Sequence, residues 1–222
     1  MQSFEEIFAR AASRHEGAQA LDNLLSKPLS KKKISAISDD RWLSGMTMSI
    51  FQAGFVWRVV ENKWHDFETV FESFDLVHCA YLSDENIESL TNDKRVIRHL
   101  KKLQAIRHNA TYLLEKAETF GSVGNFIIEY PPEEYIALLL ELKTNASRLG
   151  GMSAQYFLRR IGVDSFILSR DVVKALVRAK LVAKTPTSKR DLLNVQNAFN
   201  HWREQSGRSL TEISRVLAMS VD

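Results

Sequence analysis

Cysteine is almost absent from this chain: Cys79 stands alone among 222 residues, which excludes an intrachain disulfide. With only six scattered histidines beside it, no ligand spacing of the kind that structural zinc requires can be assembled, so no metal or other cofactor is expected. Proline and glycine are sparse, four and nine, and strand-like alternation is missing, which argues against a β-rich fold. No apolar run approaches the roughly eighteen residues needed to span a bilayer. The opening "MQSFEEIFARAASRHEG" reads as an amphipathic helix, acidic and then basic, without a signal-peptide apolar block. An all-α protein of the cytoplasm with no membrane partner is the expectation.

Strong charge of one sign is lacking as well. The net charge is +3, so any pull toward nucleic acid must come from local clusters. Candidates are "KKK" at 31–33, "KRVIRHLKK" at 94–102, "LRR" at 158–160 and "SKR" at 188–190. Each also reads as a solvated helix face. What is abundant is apolar spacing of three and four: 45% of the residues are hydrophobic, which supports an extensive core and not a disordered chain.

Periodicity predicts a first helix with Phe4, Ile7, Phe8 and Ala11 on one face, then a second through "GAQALDNLL". A linker follows "SKPLS", and Ser38, Asp39 and Asp40 cap one long helix through "RWLSGMTMSIFQAGFVWRVVENKW". Further helices are expected near 66–72, 83–91, 97–119, 122–129 and 132–143, the last started by Pro131 and Pro132. A glycine hairpin at "SRLGGMS" then separates helices, and two more close the chain. No repeat or linker divides it, so a single domain over 1–222 built as two helical lobes is the simplest organisation. Its consecutive segments are N-terminal helices at 1–38, a core at 39–145, a hairpin region at 146–180 and C-terminal helices at 181–222.

Three stretches carry possible chemistry. In "FQAGFVW", residues 51–57, Phe51, Phe55 and Trp57 could stack on a flat heteroaromatic ligand while Gln52 meets its polar edge and Gly54 permits close approach. The competing reading is a core helix that happens to hold an amide. In "VIRHLKKLQAIRHNATYLL", Arg98, Lys101, Lys102 and Arg107 gather at one end of a helix with His99 and His108, a cluster suited to phosphate or simply to solvent. In "SRLGGMSAQYFLRRIG", adjacent glycines before a helix could offer backbone N–H groups and a positive dipole end to one anion.

Taken in order, these stretches resemble the DNA-3-methyladenine glycosylase I family of the helix-hairpin-helix glycosylase superfamily. The resemblance rests on "FQAGFVW" against a Gln-Ala-Gly, two residues, Trp pattern, and on "VIRHLKKLQAIRHNA" with its Ile-Arg-His, Gln-Ala-Ile and Asn-Ala elements. It covers 40–130 well, the hairpin at 148–162 more loosely, and little beyond residue 180.

The resemblance implies an all-α, two-lobed enzyme with its DNA and base cleft between the lobes, acting as a monomer on duplex DNA containing alkylated bases. The enzyme would flip a purine such as 3-methyladenine from the helix and cut its N-glycosidic bond, in base excision repair at the bacterial nucleoid and without a cofactor. It further implies Trp57 as the stacking ring, with Gln52, Phe51, Phe55 and Trp42 around the base. Arg98, Lys102 and Arg107 would lie beside the DNA, and Gly150, Gly151 and Ser153 would hold a phosphate.

Departures are equally specific. The family's glutamate three residues before the motif glutamine is replaced by Ser49, placed here in the catalytic set but without charge. The family's N-terminal aromatics and zinc-binding Cys and His residues are missing. A superfamily catalytic aspartate would fall at Ser169, leaving Asp171 as a substitute that also reads as part of a helix N-terminus. The hairpin has no lysine for a Schiff base, which points to a monofunctional glycosylase. A non-catalytic or altered-specificity DNA-damage-binding protein, and an all-α interaction protein with "FQAGFVW" as core, stay open beside it.

Overall fold

The computed structural model describes residues 2–222, and among them every regular element is helical. In chain order the helices are α1 (Phe4–Arg14), α2 (Ala18–Asn23), α3 (Lys31–Ser35), α4 (Asp39–Gln52), α5 (Trp57–Asn62), α6 (Trp64–Val70), α7 (Leu76–Ala80) and α8 (Asp84–Leu90). They continue as α9 (Leu100–Phe120), α10 (Val123–Ile128), α11 (Tyr135–Asn145), α12 (Met152–Ile161), α13 (Arg170–Arg178), α14 (Lys189–Ser206) and α15 (Leu210–Met219). Short 3-10 turns occupy Glu72–Phe74 and Pro132–Glu134.

The chain forms two compact units that cut across the consecutive segments expected from sequence. One gathers both chain ends, Met1–Leu29, Tyr130–Leu138 and Gly162–Asp222; the other holds Ser30–Glu129 and Leu139–Ile161. In the first unit, α1, α13, α14 and α15 pack together over a stacked aromatic line. Phe166 lies 4.2 Å from Phe199, which meets Trp202 edge-on at 5.5 Å, and the Trp202 indole N–H reaches Gln2 O at 3.1 Å. Ser3 and Ser209 each close a capping box with Glu6 and Glu212, satisfying N–H groups that the first turns of α1 and α15 leave free.

In the second unit, α4 and α9 form the centre. Trp42, Leu43, Met46, Ile50 and Phe51 of α4 are buried, as are Leu103, Ile106, Ala110 and Leu113 of α9, and α12 covers α4. Gly45 permits that approach, since a Cβ there would sit 3.3 Å from the Phe157 ring. At the other side Trp64 stacks on Phe67 and Phe74 at 5.1 and 5.4 Å. Glu68 is held there by the Arg41 guanidinium at 2.9 and 2.8 Å, the Ser44 hydroxyl and the Trp64 indole. Burial opposes its ionisation, but the Arg41 and Ser44 bonds prevail and keep the carboxyl below its ordinary range.

Two expectations are corrected. The "KKK" segment is not a linker but the helix α3, whose Ser30 hydroxyl accepts from Lys33 N. It packs on α10 where Gly124 stands, and a Cβ at 124 would lie 2.5 Å from Ile34 O and 2.9 Å from Ser35 Cα. Because both neighbours are backbone, Gly124→Ala is expected to cost about 3 kcal/mol or more, read as a lower urea midpoint with an unchanged slope. The second correction concerns the long helix expected from Asp39 to Trp64. It ends at Gln52 and restarts at Trp57, because Ala53 is extended and Gly54 takes φ +84°.

Candidate active site

The break between α4 and α5 decides which aromatics face outward. Phe51, on the last turn of α4, points inward and meets Phe67 edge-on at 4.9 Å, and Trp42 is fully buried against Phe157 with its indole N–H directed at Ile37 O. Both rings are core, not base contacts as expected from sequence. After the turn the sense reverses. Phe55 and Trp57 are 38% and 44% exposed, with Val56 and Val59 more open still, so a surface strip of large apolar side chains starts where α4 stops. Isolated exposed apolar residues are ordinary, but a contiguous strip marks a contact surface.

Trp57 is framed from α12. Tyr156 meets its ring edge-on at 5.2 Å, and the Arg160 guanidinium lies 5.8 Å from it. Tyr156 and Arg160 are four apart and so share one helix face, as do Trp57 and Glu61 on α5. Between the two pairs sits Gln52, buried at the end of α4. Its amide donates to Glu61 Oε1 at 3.1 Å and its carbonyl accepts from Arg160. A guanidinium can only donate and a carboxylate can only accept, so this sandwich fixes which way the amide faces. Burial lowers the Arg160 pKa, offset in part by the Glu61 charge.

Lys102 has a different place from the one sequence suggests. It is only 4% exposed, and its ammonium donates to Phe51 O at 3.3 Å and Ala53 O at 2.6 Å, closing the C-terminus of α4. The same group lies 4.5 Å from the Phe55 ring, which meets His99 edge-on. Burial, helped by the Arg148 charge, pushes the amine down to about 8. Lys102 is therefore a helix cap beneath the aromatic strip and not a surface phosphate contact. Arg107 is committed too, pairing with Asp84 at 2.7 Å and donating to Leu82 O at 2.9 Å. Arg98 is exposed.

The hairpin lies where expected, between α11 and α12. Gly151 has φ +58°, and Gly150 and Gly151 are exposed with open space beside them; Ser153 stands in the first turn of α12. The fully buried Asn109 holds this loop. Its amide donates to Ser147 O at 3.2 Å and accepts from Ser147 N at 2.7 Å, while the His108 ring bonds Asn145 O. Asn109→Ala should thus remove about 2 kcal/mol and speed amide exchange across 146–151 before the rest of the unit opens. Equal acceleration throughout would mean that Asn109 supports the core and not the loop.

Ser49 is buried, and its hydroxyl has no hydrogen-bond partner among the described residues. Asp171 is an exposed first-turn residue of α13, whose cap is Ser169 accepting from Val172 N. A carboxylate there is favoured by the helix dipole without any catalytic duty. Glu61, Tyr156 and the loop-holding role of Asn109 were not singled out from sequence, and Arg160 only as part of the basic "LRR" cluster at 158–160. The i, i+4 spacing on α5 and α12 was visible, but nothing in it joined two helices a hundred residues apart. Among the described residues no three His, Cys, Asp or Glu side chains gather in a group that could hold a metal ion. A separate groove of about 800 Å3 on the same unit is lined by Tyr81, Arg107, His108, Tyr112 and Lys116, and shares none of the residues around Trp57.

The aromatic turn, the helix beneath it and the hairpin all fall within or beside residues 33–148, which match the methyladenine glycosylase family model. The chain belongs to the methyladenine glycosylase family. Over 106 residues it is 33% identical to DNA-3-methyladenine glycosylase 1 of Escherichia coli (strain K12). That alignment takes in 46% of this chain and 57% of the relative, so the chain spans little more than half of the relative's length. A solved structure of 3-methyladenine DNA glycosylase I from Staphylococcus aureus is similar with a TM-score of 0.53 at 21% identity, covering 64% of this chain and 82% of that one. A Methanocaldococcus jannaschii 8-oxoguanine glycosylase/lyase in complex with DNA is similar over 96% of this chain and 88% of its own, with a TM-score of 0.52 and 17% identity. These two likenesses establish the all-helical glycosylase fold. No helix of the described residues is long and apolar enough to cross a membrane.

Proposed function

We propose that this member of the methyladenine glycosylase family is a monofunctional DNA N-glycosylase that removes alkylated purines such as 3-methyladenine from duplex DNA. The observation that carries the reading is the half-exposed Trp57 ring, framed by Tyr156 and Arg160 above a Gln52 amide whose two ends are fixed. A base taken out of the stack needs a flat apolar surface to replace its neighbours and an oriented polar group for its edge, and this arrangement offers both.

Alkylation at N3 of adenine makes the base cationic and a good leaving group. The bond to the sugar then breaks with little acid assistance, and water takes the place of the base at C1′. What remains for the protein is to hold the extruded base and reject normal ones, which is differential binding and not nucleophilic chemistry. That division of labour accords with a Ser49 that is buried and uncharged and an Asp171 that stands exposed in the first turn of α13. The hairpin backbone at Gly150 and Gly151 and the start of α12 at Ser153 would grip one phosphate, braced by Asn109, with Arg98 adding charge to the same partner.

The test is release of free base from methylated duplex DNA, resolved chromatographically into 3-methyladenine, 7-methylguanine and 3-methylguanine. Release of 3-methyladenine, lost in a Trp57 variant, supports the reading. Duplex binding by the folded protein without any release would replace it with a damage-binding protein that does not excise.

A further inference from the structure

We propose that Glu61 is the specificity-determining charge of this site, the group by which the Trp57 face favours a cationic base over a neutral one. The inference rests on the reading of Trp57 as the base-stacking ring and adds to it the basis of discrimination. Among the residues hydrogen-bonded to Gln52 or in ring or cation contact with Phe55 and Trp57, which are Glu61, His99, Lys102, Tyr156 and Arg160, only Glu61 is acidic.

The remaining charges work against a cationic ligand. The Arg160 guanidinium lies 5.8 Å from the Trp57 ring, and the Lys102 ammonium 4.5 Å from that of Phe55. A positively charged purine stacked on Trp57 would be repelled by both unless a negative group stood near. Ser49 cannot serve, being uncharged and buried. Glu61 can, for three reasons. It stands one helical turn from Trp57 on the same face of α5. One of its oxygens is anchored by the Gln52 amide at 3.1 Å, which removes much of the freedom an exposed glutamate would otherwise keep. It is also in no ion pair among the described residues, so its charge is not cancelled by direct contact, although it acts on Arg160 at longer range.

The anchoring extends the effect through Gln52. With Arg160 donating to the amide oxygen and Glu61 accepting from the amide nitrogen, the Gln52 dipole has its positive end toward Glu61 and its negative end toward Arg160. Removing the Glu61 charge while Arg160 still holds the amide oxygen keeps the amide facing the same way but leaves the Arg160 charge without its counterweight. A carboxylate and a cation some 6 to 8 Å apart at a partly solvated surface interact strongly enough for about a tenfold preference.

The experiment uses the full chain and two soluble probes, 3,9-dimethyladeninium, which is permanently cationic, and 9-methyladenine, which is neutral. Binding is read from quenching of tryptophan emission, with Trp57→Phe identifying the ring that reports. The wild-type protein is expected to bind the cation about tenfold more tightly. In Glu61→Gln, which keeps the side-chain size, the ratio should fall to within about twofold while affinity for the neutral probe and the melting temperature hardly move. A ratio unchanged in Glu61→Gln, or no preference in the wild type, overturns the proposal. Base release from methylated DNA, measured on the same preparations, reports separately on the glycosylase reading: release that persists at the wild-type rate in Glu61→Gln would sink the role of Glu61 and leave that reading standing.

Discussion

Replacing Trp57 with alanine lowers single-turnover base release from methylated duplex DNA by about 100-fold while the protein keeps its fold and its nonspecific affinity for duplex. Aromatic stacking on an unpaired base contributes ~1 to 3 kcal/mol, and each ~1.4 kcal/mol is tenfold in rate when the interaction is made in the transition state. Trp57 also supports two other members of the frame: its loss removes the edge contact that places Tyr156 and the face over which Arg160 lies. Those added losses put the expectation toward the upper end of the stacking range. Stability should change far less, by about 1 kcal/mol, because 44% of the residue is already in water and it shares no part of the Trp42, Phe51 and Phe67 interior. Trp57→Phe, which keeps a ring, should recover much of the rate. Stopped assays on a methylated duplex, thermal melts and filter binding at two salt concentrations separate these effects. Parallel loss of excision, melting temperature and duplex binding in the alanine variant would show Trp57 to be a folding residue and remove it from the site.

Most of the helices were legible because their apolar spacing and their caps agree. Ser169, in a stretch read as a helix N-terminus, accepts from Val172 N, and Ser3, Ser83, Ser188 and Ser209 cap their helices in the same way, whereas Ser38, named as a cap, precedes α4 without a side-chain bond to it. The interruption at 53–56 was not legible, since apolar residues continue through it at helical spacing and a lone glycine is tolerated within many helices. What stops α4 is tertiary: Lys102, fifty residues on, supplies the bonds that its last carbonyls would otherwise seek from a further turn. Phe51, on the last turn of α4, is buried, whereas Phe55 and Trp57, beyond the break, are exposed, so the three rings expected on one surface are divided between core and solvent. Trp42 was drawn toward the site only as an aromatic near it, and burial places it under α12. The structure gives several motif residues contacts that their sequence positions do not display. In "HLKKLQAIRHNA", Lys101 is exposed and Lys102 buried, and Asn109 and His108 work on the hairpin through backbone groups that a sequence does not display.

Lys102 yields the second large effect, and it is one of stability. Lys102→Met retains the length of the apolar stem but leaves Phe51 O and Ala53 O without the donor that now satisfies them. Two carbonyls stripped of a charged donor at a mostly buried site should cost about 2 to 4 kcal/mol, which in a chain of this size lowers the melting temperature by roughly 5 to 10 °C. Base release should fall as well, because the turn that presents Phe55 and Trp57 begins at those carbonyls. The salt dependence of duplex binding should stay as it is; a shallower slope would return Lys102 to the DNA interface. The pH dependence separates this cap from an ordinary surface lysine. Its folded pKa of about 8 lies below the ordinary 10.5, so between those values the unfolded chain holds more protons at this position than the folded one. Stability from this group accordingly rises as pH climbs through that window, and is lost again as pH falls through 8. Cys79, pushed up to about 12 by burial, acts with the opposite sign over part of the same range, but it is shared by both proteins and cancels in the difference. Urea unfolding at pH 7 and pH 10 should therefore show the wild type gaining on Lys102→Met at the higher pH. A constant difference would mean that the Lys102 amine titrates as it does in water, and that the C-terminus of α4 is held by something other than this buried charge.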